Sequence, residues 1–586
     1  MLAAASKLQC SIPRLTSRIH DCSDGLEIDV PSRVTPAVSS LRTSIVHSPP
    51  GQDTALVFLY SPDNTGPPTV SQVTSFWEGL QRAHPKAKIV ASSLDAFASD
   101  VLAGDVASLP VVAQELGDSW LYGAPADPIK VATFREARRF MNDEVAAGRL
   151  DPTTAMYDRY MRRLMKGPCE HNWGYSVGTY LPELHWPDAT HPTGTWTNDA
   201  FHAVRNTERW LFLESEWAEQ REWMHPLPAW SSLFGWSRST RSAALTGAAP
   251  PSAKESTEWN AFVHRLEDRL APLMAPPRPK TSGMTLMSSS SDSESIGMTA
   301  PRQCGGYEVQ LNTSNGAIAS MRKLATNRLL ASPQRNLASL AYMTFSVSDF
   351  ALYGREYDGM SSGGGDFGKA GMASANVTGG AWHPTAAETW ASSEHEGAGA
   401  TGCVFVTALT LPAVTSEKYG APATISLSVT VPGSNGAAAD ISLSWHDKIA
   451  TRIGEAMWLS FVPPTRSHDA RWTMDVLGHP VNPLDVAHGG TRFKHAVWDG
   501  ATLHDGGLPP LRVRFLDSVI LAPGDIHHLL RFCRGSLSRG GVTDACADVV
   551  DPVVGGIHAN LHNNLWGTAF PQWYDDDGLA RFQVFA

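Results

Sequence analysis

The sequence lacks any uninterrupted apolar run of the roughly 18 residues that a membrane-spanning helix needs. Its first 22 residues are also too polar to contain the apolar core of a signal peptide. They do carry Lys7, Arg14 and Arg18 among serine and alanine, a composition typical of an organelle transit peptide, although an unstructured start explains it equally well. We therefore expect a soluble chain with no membrane partner, and its compartment stays unknown.

Cysteine is scarce and widely spaced. The seven cysteines include no Cys-x-x-Cys pair, which argues against a zinc knuckle and against a dense disulfide framework. Cys533 and Cys546 are close enough in sequence to form a plausible local bridge.

Clustered positive charge is also missing. Charged residues make up 18% of the chain, the formal net charge is -11, and lysine and arginine are scattered. This pattern argues against a nucleic-acid partner, because such surfaces concentrate basic residues. The sequence does not indicate an oligomeric state.

Tryptophan, in contrast, is abundant, with 19 residues in a chain of 586. Exposed indole rings suit the apolar faces of sugars, although the alternative is that most of these rings belong to the core. The length predicts two to four domains.

The first part of the chain has an alternating strand and helix pattern. The apolar run Ala55–Tyr60 predicts a strand, a helix follows from Thr69 to about Ala83, and 88–93 predicts a second strand before a short helix at 94–102. Such a rhythm indicates a parallel α/β layer, with too few strands for a complete barrel.

Three longer helices are predicted next, at 129–150, 152–165 and 198–224, with Asp151 as N-cap of the second. Residues 237–303 are rich in serine, alanine and proline around one amphipathic patch at 255–273, which favours a linker.

From Tyr307 onward, short alternating runs such as 425–431 and 441–445 are separated by glycine, proline and asparagine. This texture predicts an antiparallel β-sandwich. The full prediction is α/β plus β, in five segments: an irregular N-terminal segment at 1–50, a partial α/β barrel at 51–127, a three-helix bundle at 128–236, a low-complexity linker at 237–303 and the β-sandwich at 304–586.

Two loops combine carboxylates with aromatic rings. Asp118, Trp120, Tyr122 and Asp127 lie on the loop after the predicted barrel strands, where active sites of α/β proteins are built. Acids bond sugar hydroxyls and rings cover their C–H faces, so this loop is a candidate sugar site. The alternative is a capping loop for the helix that follows.

The second loop, 170–174, offers Glu170, His171 and Trp173 within five residues. We include Glu170 and Trp173 among the candidate substrate-binding residues, although a single histidine in such a loop is more often structural. His558 and His562 resemble metal ligands by spacing alone, but a separation of four does not align side chains on a strand, which favours structural roles.

Several motifs occur in the order and spacing of an uncharacterised branch related to family 38 glycoside hydrolases, the α-mannosidase-related enzymes. The resemblance runs from about residue 51 to the end. In the first half it rests on Asp63-Asn-Thr-Gly-Pro-Pro68, Gly117-Asp-Ser-Trp-Leu-Tyr-Gly123 with Asp127-Pro128, Glu170-His-Asn-Trp-Gly174 and Glu219-Gln-Arg221. In the β region it rests on Asp366-Phe-Gly-Lys369, Lys448-Ile-Ala-Thr-Arg452, Glu455-Ala-Met-Trp458, Asn563-Asn-Leu-Trp-Gly-Thr568 and Phe570-Pro-Gln-Trp573.

The resemblance implies part of a seven-stranded α/β barrel, a three-helix bundle and β-sandwich domains of the galactose-mutarotase-like kind. It also implies retaining hydrolysis of α-mannosides with a zinc ion. By position, His171 is the residue nearest to the family's later zinc-binding histidine. None of the 21 histidines has aspartate two residues later. Because the family's His-x-Asp motif and nucleophile are not found, we expect an N-terminally truncated chain.

Three functions remain open from the sequence. The first is a glycoside hydrolase-like protein that acts on carbohydrate, with activity of this chain in doubt. The second is a non-catalytic carbohydrate-binding protein, and the third is a structural or partner-binding role for the β-sandwich. Zinc is possible only through the family resemblance.

Overall fold

The structure is a computed structural model. It describes residues 18–20, 27–29, 42–47, 55–60, 66–104, 106–108, 111, 114–115, 120–166, 173–175, 177–181, 198–225, 253–290, 297–357, 376–396, 400–433, 438–487, 491–527, 550–565 and 570–586. Within these residues, no helix is both long enough and apolar enough to cross a bilayer.

Two compact units divide the chain between Gln114 and Glu115. The first unit contains short antiparallel strand pairs followed by two helices. Its elements are strands Arg18–His20, Glu27–Asp29, Arg42–His47 and Ala55–Tyr60, and helices α1 (Val70–Ala83) and α2 (Leu94–Ala103). Helix α1 begins after Thr69, whose side chain caps the N–H of Gln72.

The first unit confirms one predicted strand and both predicted helices, but not their arrangement. Ala55–Tyr60 pairs antiparallel with Arg42–His47, so the predicted parallel layer is wrong for this strand. Residues 88–93 form no strand, and Val90 is largely exposed, whereas a parallel strand needs cover on both faces. The irregular segment predicted for 1–50 contains strands at 18–20, 27–29 and 42–47.

The second unit begins with a short 3-10 segment, Trp120–Ala126, and a layer of helices. The helices are α3 (Pro128–Ala146), α4 (Ala155–Lys166), α5 (Val177–Tyr180), α6 (Asn198–Val204), α7 (Glu208–Glu222) and α8 (Ala253–Met274). Further along the chain come α9 (Val347–Tyr357), α10 (Ala413–Tyr419) and α11 (Pro552–Gly555).

Two of the predicted helices need correction. The second helix starts at Ala155 rather than at 152, because the Asp151 carboxylate accepts from the N–H of Thr153 in a tight turn. The third helix is interrupted between α6 and α7. Asn206 adopts a left-handed conformation there, and the Thr207 side chain then caps the N–H of Trp210.

The linker predicted for 237–303 is wrong where the structure describes it. Helix α8 packs against α3 and α4 through Trp259, Phe262, Leu266 and Leu270, which are all buried. Strand Thr285–Ser289 also falls inside this range, strand Arg302–Cys304 begins in it, and both pair within the sheets. The domain limits themselves stay predictions.

The rest of the second unit contains two large antiparallel sheets, which is consistent with the predicted β-sandwich. The strand order of the first is His495–Ala496, Ile520–Pro523, Ile557–Asn563, Glu455–Phe461, Leu337–Thr344, Ile318–Lys323, Tyr307–Leu311 and Arg302–Cys304, with Gly380–Trp382 on Leu337–Thr344 and Arg328–Ala331 on Ile318–Lys323. That of the second is His479–Val481, Arg471–Val476, Ala501–His504, Leu511–Phe515, Gly578–Phe585, Ala439–His446, Thr424–Val431, Ala400–Thr410, Thr385–Glu396 and Thr285–Ser289.

Side-chain alternation explains the second sheet. In Thr424–Val431 every second residue is buried, and Leu427 lies opposite Leu443 of the next strand. Because side chains of a strand point to opposite faces in turn, this sheet buries one face in the common core. In contrast, Glu455–Phe461 and Ile557–Asn563 of the first sheet are buried along their whole length.

An ion pair lies inside this core. Lys448 Nζ is 2.6 Å from Glu455 Oε1, and both side chains are fully buried. Tyr342 donates its hydroxyl proton to Glu455 Oε2 at 2.6 Å. His562 lies beside the pair, with its Nε2 3.7 Å from Glu455 Oε1, and its Nδ1 donates to the carbonyl of Pro125 at 3.2 Å. Three strands, Leu337–Thr344, Glu455–Phe461 and Ile557–Asn563, and the 3-10 segment are therefore joined by one buried polar network.

Helix α3 is held to the sandwich by charge. Arg135 donates to the carbonyl oxygen of Leu516 at 2.9 Å, and Arg581 donates both to Glu136 at 2.7 Å and to Asp517 at 2.9 Å. Burial alone opposes the charge of Glu136, but its arginine neighbours lower its pKa to about 2. These contacts fix the helix that carries Asp127 at its N-terminus.

Candidate functional site

The structure describes some of the residues predicted from the sequence. Asp118, Glu170 and His171 lie outside the described residues. Trp120 and Tyr122 lie in the 3-10 segment Trp120–Ala126, directly before α3. Asp127 and Trp173 are the two predicted residues whose side-chain contacts the structure describes.

Asp127 is the N-cap of α3 and is almost completely buried. Its Oδ1 accepts from the N–H of Lys130 at 3.0 Å, and its Oδ2 accepts from Arg221 Nε at 2.7 Å. Both carboxylate oxygens are thus used inside the protein. Asp127 therefore caps the following helix, which was the alternative to a sugar-binding role in the sequence analysis. It also positions Arg221.

Trp173 is also buried, with 8% of its surface exposed. Its ring lies 5.5 Å from the ring of Phe570, and Lys130 Nζ is 4.1 Å from its centroid. Gly174 follows with a left-handed φ of 109°, and a Cβ there would lie 2.5 Å from Trp217. This indole is therefore a packing residue that holds the 173–175 segment against α7.

Helix α7 joins several of the motifs found in the sequence. Arg221 reaches Asp576 as well as Asp127, with its Nη1 2.6 Å from Asp576 Oδ2. Gln220 accepts a hydrogen bond from Lys130 at 3.4 Å. The segments around 127, 220 and 576 are far apart in sequence, yet they meet at the C-terminal end of one helix.

Tryptophans form the buried side of α7. Trp573 stacks on Trp210, with ring centroids 4.2 Å apart, and lies edge-on to Trp217 at 4.6 Å. Its indole N–H donates to Glu214 Oε1 at 3.1 Å. The abundance of tryptophan is therefore, at these positions, a matter of packing between α7 and the 570–577 segment.

Acidic and basic side chains surround this packing. We call Glu214, Asp575, Asp576, Arg205 and Arg221 the carboxylate–arginine cluster. Arg205 Nη2 lies 2.6 Å from Asp575 Oδ2, with both side chains about one-third exposed. The Asp576 side chain is 45% exposed, so this cluster opens to solvent.

Two carboxyl groups of the cluster hold protons more tightly than usual. Burial raises the pKa of Glu214, although its bond from Trp573 opposes the shift. Burial likewise raises the pKa of Asp576 against the opposing charge of Arg221. Burial also opposes the charge of Arg221, but Asp127 and Asp576 outweigh it and raise the pKa of this guanidinium. Raised carboxyl pKa values are frequent at functional sites.

Phe212 of α7 contacts two tyrosine rings from outside this helix. The aromatic triad consists of Tyr175, Tyr180 and Phe212, with ring centroids 4.9 to 5.8 Å apart. Tyr175 is 46% exposed and Phe212 is 40% exposed. The Tyr175 carbonyl accepts from Trp217 Nε1 at 3.3 Å, which fixes the triad to the buried tryptophans.

Polar groups accompany the aromatic triad. Arg209, on the exposed surface of α7, donates to the carbonyl oxygen of Tyr180 at 3.3 Å. Burial raises the pKa of Tyr180, and the neighbouring Tyr175 and Glu216 add to the shift. Rings with a guanidinium and a carboxylate beside them offer C–H stacking together with hydrogen bonding.

Metal binding finds no support in the described part of the chain. There, no group of three or more histidine, cysteine, aspartate or glutamate side chains could hold an ion. The described residues therefore do not fit zinc. His558 and His562 instead bond to Ser460 and to the carbonyl of Pro125.

A small cavity lies where the 3-10 segment covers the sandwich, lined by Pro125, Trp445 and Asn560 among others. It has room for about one water molecule. A sugar ring does not fit there, so the aromatic triad on the surface is the better candidate.

Most residues of these two clusters were not predicted from the sequence. Glu214 lies in a helix whose charged residues are typical of a solvated face, and Asp575 and Asp576 follow a motif noted only for its resemblance. The signal that was present is the run of three aspartates, Asp575 to Asp577, one residue after Phe570-Pro-Gln-Trp573. Tyr175 directly follows the predicted 170–174 loop, but its partner Phe212 is far away in sequence.

A family model matches residues 124–267 and 280–437, together just over half of the chain. The chain belongs to the family described as "Domain of unknown function (DUF5054)". The DUF5054 match covers α7 and the aromatic triad but ends before the 570–577 segment. It is not a match to family 38 glycoside hydrolases, so that resemblance stays a prediction.

Among solved structures, the DUF5054 chain is similar to a galactose mutarotase-like protein from Lactobacillus casei ATCC 334. The identity is 10%, with 52% of this chain and 99% of that chain covered, at a TM-score of 0.25. It is also similar to a 4-alpha-glucanotransferase from Thermococcus litoralis, at 8% identity, with 88% of this chain and 64% of that chain covered and a TM-score of 0.18. Neither likeness is close enough to carry an argument. No curated protein matches.

Proposed function

We propose that this DUF5054 protein binds carbohydrate, and that the aromatic triad of Tyr175, Tyr180 and Phe212 is the contact surface. The observation that carries the proposal is the exposure of Tyr175 and Phe212 in a fixed ring cluster. Soluble proteins usually bury such rings, and a rigid exposed cluster suits the apolar face of a pyranose.

Polar contacts supply the orientation that stacking lacks. Arg209 is exposed beside Tyr180 and donates N–H groups, while Glu216 accepts. Sugar hydroxyls both donate and accept, so one face of a sugar could stack while its rim bonds to these two side chains. The family 38 resemblance makes α-linked mannose oligosaccharides the first ligands to try.

Calorimetric titration with an α-linked mannose disaccharide, and with its glucose counterpart, tests the proposal. Tyr175→Ala and Phe212→Ala should each weaken binding about 2- to 10-fold, the effect of losing one aromatic contact. Trp498→Ala is the matched control, because Trp498 is 38% exposed and packs over Arg135 on the sandwich. Equal affinity in all four proteins, or no binding at all, contradicts the proposal.

Glycoside hydrolysis is a second candidate, favoured by one specific observation. Glu214 and Asp576 have raised pKa values in a cluster that opens to solvent. A raised pKa makes a carboxyl group better suited to donate a proton to a glycosidic oxygen, a reaction in which an ionised carboxylate assists on the other side. The proposed role of Glu214 and Asp576 as proton donors rests on these raised pKa values.

Turnover of aryl α-mannosides distinguishes the two candidates. Hydrolysis that is lost in Glu214→Gln or Asp576→Asn, and kept in the control Glu417→Gln on α10, supports an enzyme. Glu417 is an exposed carboxylate outside the carboxylate–arginine cluster. If the unaltered protein binds the saccharide without turnover, binding is supported and hydrolysis is not.

A further inference from the structure

A disulfide links the two sheets of the sandwich. Cys304 ends strand Arg302–Cys304 of the first sheet, and Cys403 lies in Ala400–Thr410 of the second. Their Cα atoms are 5.3 Å apart, with a sequence separation of 99. Both side chains are almost fully buried, and these two cysteines, which are the ones that the structure describes, are paired with each other. Sequence spacing did not indicate this bond.

Disulfides of this kind indicate where a chain matures. Such bonds form and persist in oxidising compartments and are rare where glutathione keeps thiols reduced. The prediction of a Cys533–Cys546 bridge concerns residues outside the described part of the chain. The inter-sheet bond alone therefore points to an oxidising environment.

A second, independent feature points to the same environment. Asn376-Val-Thr378 is a glycosylation acceptor sequence, and Asn376 is exposed with a left-handed φ of 46°. Val377 is buried in the main core beside it. The Thr378 carbonyl accepts from Thr344 at 2.6 Å. The acceptor amide is thus presented at the surface by an anchored backbone.

The other acceptor sequence is less accessible. Asn312 is half-buried, and its side-chain oxygen accepts from the N–H of Ser314 at 2.8 Å inside a tight turn. Its backbone N–H and carbonyl also pair with Ala317 and Gly316. Asn376 has the more open position of the two.

We propose that this protein matures in an oxidising, glycosylating compartment, where it acquires the Cys304–Cys403 disulfide and an N-linked glycan on Asn376. In the first step, the two thiols lose two electrons and two protons to the disulfide of an oxidoreductase, which becomes a dithiol. In the second, Asn376 Nδ2 forms a bond to C1 of an oligosaccharide. The bond from C1 to the diphosphate of a lipid carrier breaks, and one Nδ2 proton is released with the lipid diphosphate.

Peptide mapping of the protein from its natural source tests both parts together. Trypsin cuts after Arg302, Arg322, Lys369 and Lys418, which gives peptides 303–322 and 370–418. The first contains Cys304 and Asn312, and the second contains Asn376 and Cys403. One disulfide-linked pair of peptides therefore reports the bond and both acceptor asparagines.

The protein is denatured in the presence of a thiol-blocking reagent, so that buried free thiols are blocked as well, and the linked pair is treated with a peptide-N-glycosidase in heavy-oxygen water. We expect no blocked cysteine in either peptide and a labelled aspartate at position 376 only. Blocked Cys304 and Cys403 overturn the oxidising compartment. An unlabelled Asn376, or a label confined to Asn312, overturns the glycan assignment.

Variants give an independent reading that does not depend on the enzyme digest. Asn376→Gln and Thr378→Ala should both remove the glycan mass from the secreted or organelle-purified protein, whereas Thr378→Ser should keep it, because serine also completes the acceptor sequence. Loss of the glycan in Asn312→Gln instead contradicts the proposal.

Discussion

Removal of Lys448 tests whether the buried ion pair holds the sandwich together. Its ammonium lies 2.6 Å from Glu455, and neither side chain is exposed. Lys448→Met keeps the length and apolar stem of the side chain but removes the charge. The carboxylate of Glu455 then keeps only the hydroxyl of Tyr342, the amide of Asn564 and the nearby ring of His562.

The size of the effect follows from this geometry. At an effective dielectric constant of about 20, charges at this distance attract by roughly 6 kcal/mol, and desolvation offsets several kcal/mol of it. The single variant loses the attraction and keeps the desolvated carboxylate. We expect its free energy of unfolding to fall by about 3–5 kcal/mol. In Lys448→Met/Glu455→Gln no charge is left buried, so this double variant should be more stable than the single one.

The pKa of Glu455 determines whether its contribution to stability rises or falls with pH. Burial alone opposes ionisation of Glu455, but Lys448 outweighs it and lowers the pKa of this carboxyl. Its contribution is therefore present above the ordinary glutamate pKa of about 4.3 and is lost as pH falls through the folded value. Without Lys448, burial raises the pKa, so acidification relieves the variant. The difference between wild type and Lys448→Met should shrink below about pH 5.

Urea unfolding followed by near-ultraviolet circular dichroism at several pH values measures these differences. Lys418→Met, at an exposed lysine of α10, is the matched control and should change stability by less than about 0.5 kcal/mol. A single variant as stable as the control, or a double variant less stable than the single one, contradicts a stabilising role of the buried ion pair.

Three further predictions concern the second unit. Asp127→Asn keeps the helix cap but leaves Arg221 with Asp576 alone, and should lower stability by about 1–3 kcal/mol in thermal unfolding, more than the half-exposed Asp576→Asn does. Gly174→Ala forces a Cβ to within 2.5 Å of Trp217 at a left-handed φ, and should cost about 1–3 kcal/mol by the same assay. Replacing both Cys304 and Cys403 by alanine opens a 99-residue loop and should cost about 4–5 kcal/mol in denaturant titrations without reductant; a loss below about 1 kcal/mol contradicts the constraint assigned to the bond.

Local patterns made part of the fold predictable. Thr424–Val431 alternates strictly between apolar and polar residues, and Thr69 with Gln72 forms a capping signal at the start of α1. Both signals act within a few residues. The strand expected at 88–93 failed because its burial depends on neighbours that the segment itself cannot specify.

Helix α8 shows how composition can mislead. Trp259, Phe262, Leu266 and Leu270 recur at helical spacing, but the serine, alanine and proline around them favoured a linker. The break before α7 carried a readable signal, because Asn206 and Thr207 are residues that end one helix and begin another.

The site was less predictable than the fold. Asp127 and Trp173 have the residue types of a sugar site, yet both are buried by contacts with Arg221 and Phe570. Sequence gives the type of a side chain, whereas exposure depends on packing partners from distant segments. Phe212 meets Tyr175 only because α7 and the 173–175 segment are brought together.

Saturation-transfer NMR with an α-linked mannose disaccharide tests whether the aromatic triad binds a sugar. Wild type should transfer magnetisation to the sugar C–H protons, and Tyr175→Ala/Phe212→Ala should reduce that transfer to background while Trp498→Ala keeps it. The same signal from all three proteins, or none from wild type with any α-linked saccharide, would contradict carbohydrate binding through the aromatic triad.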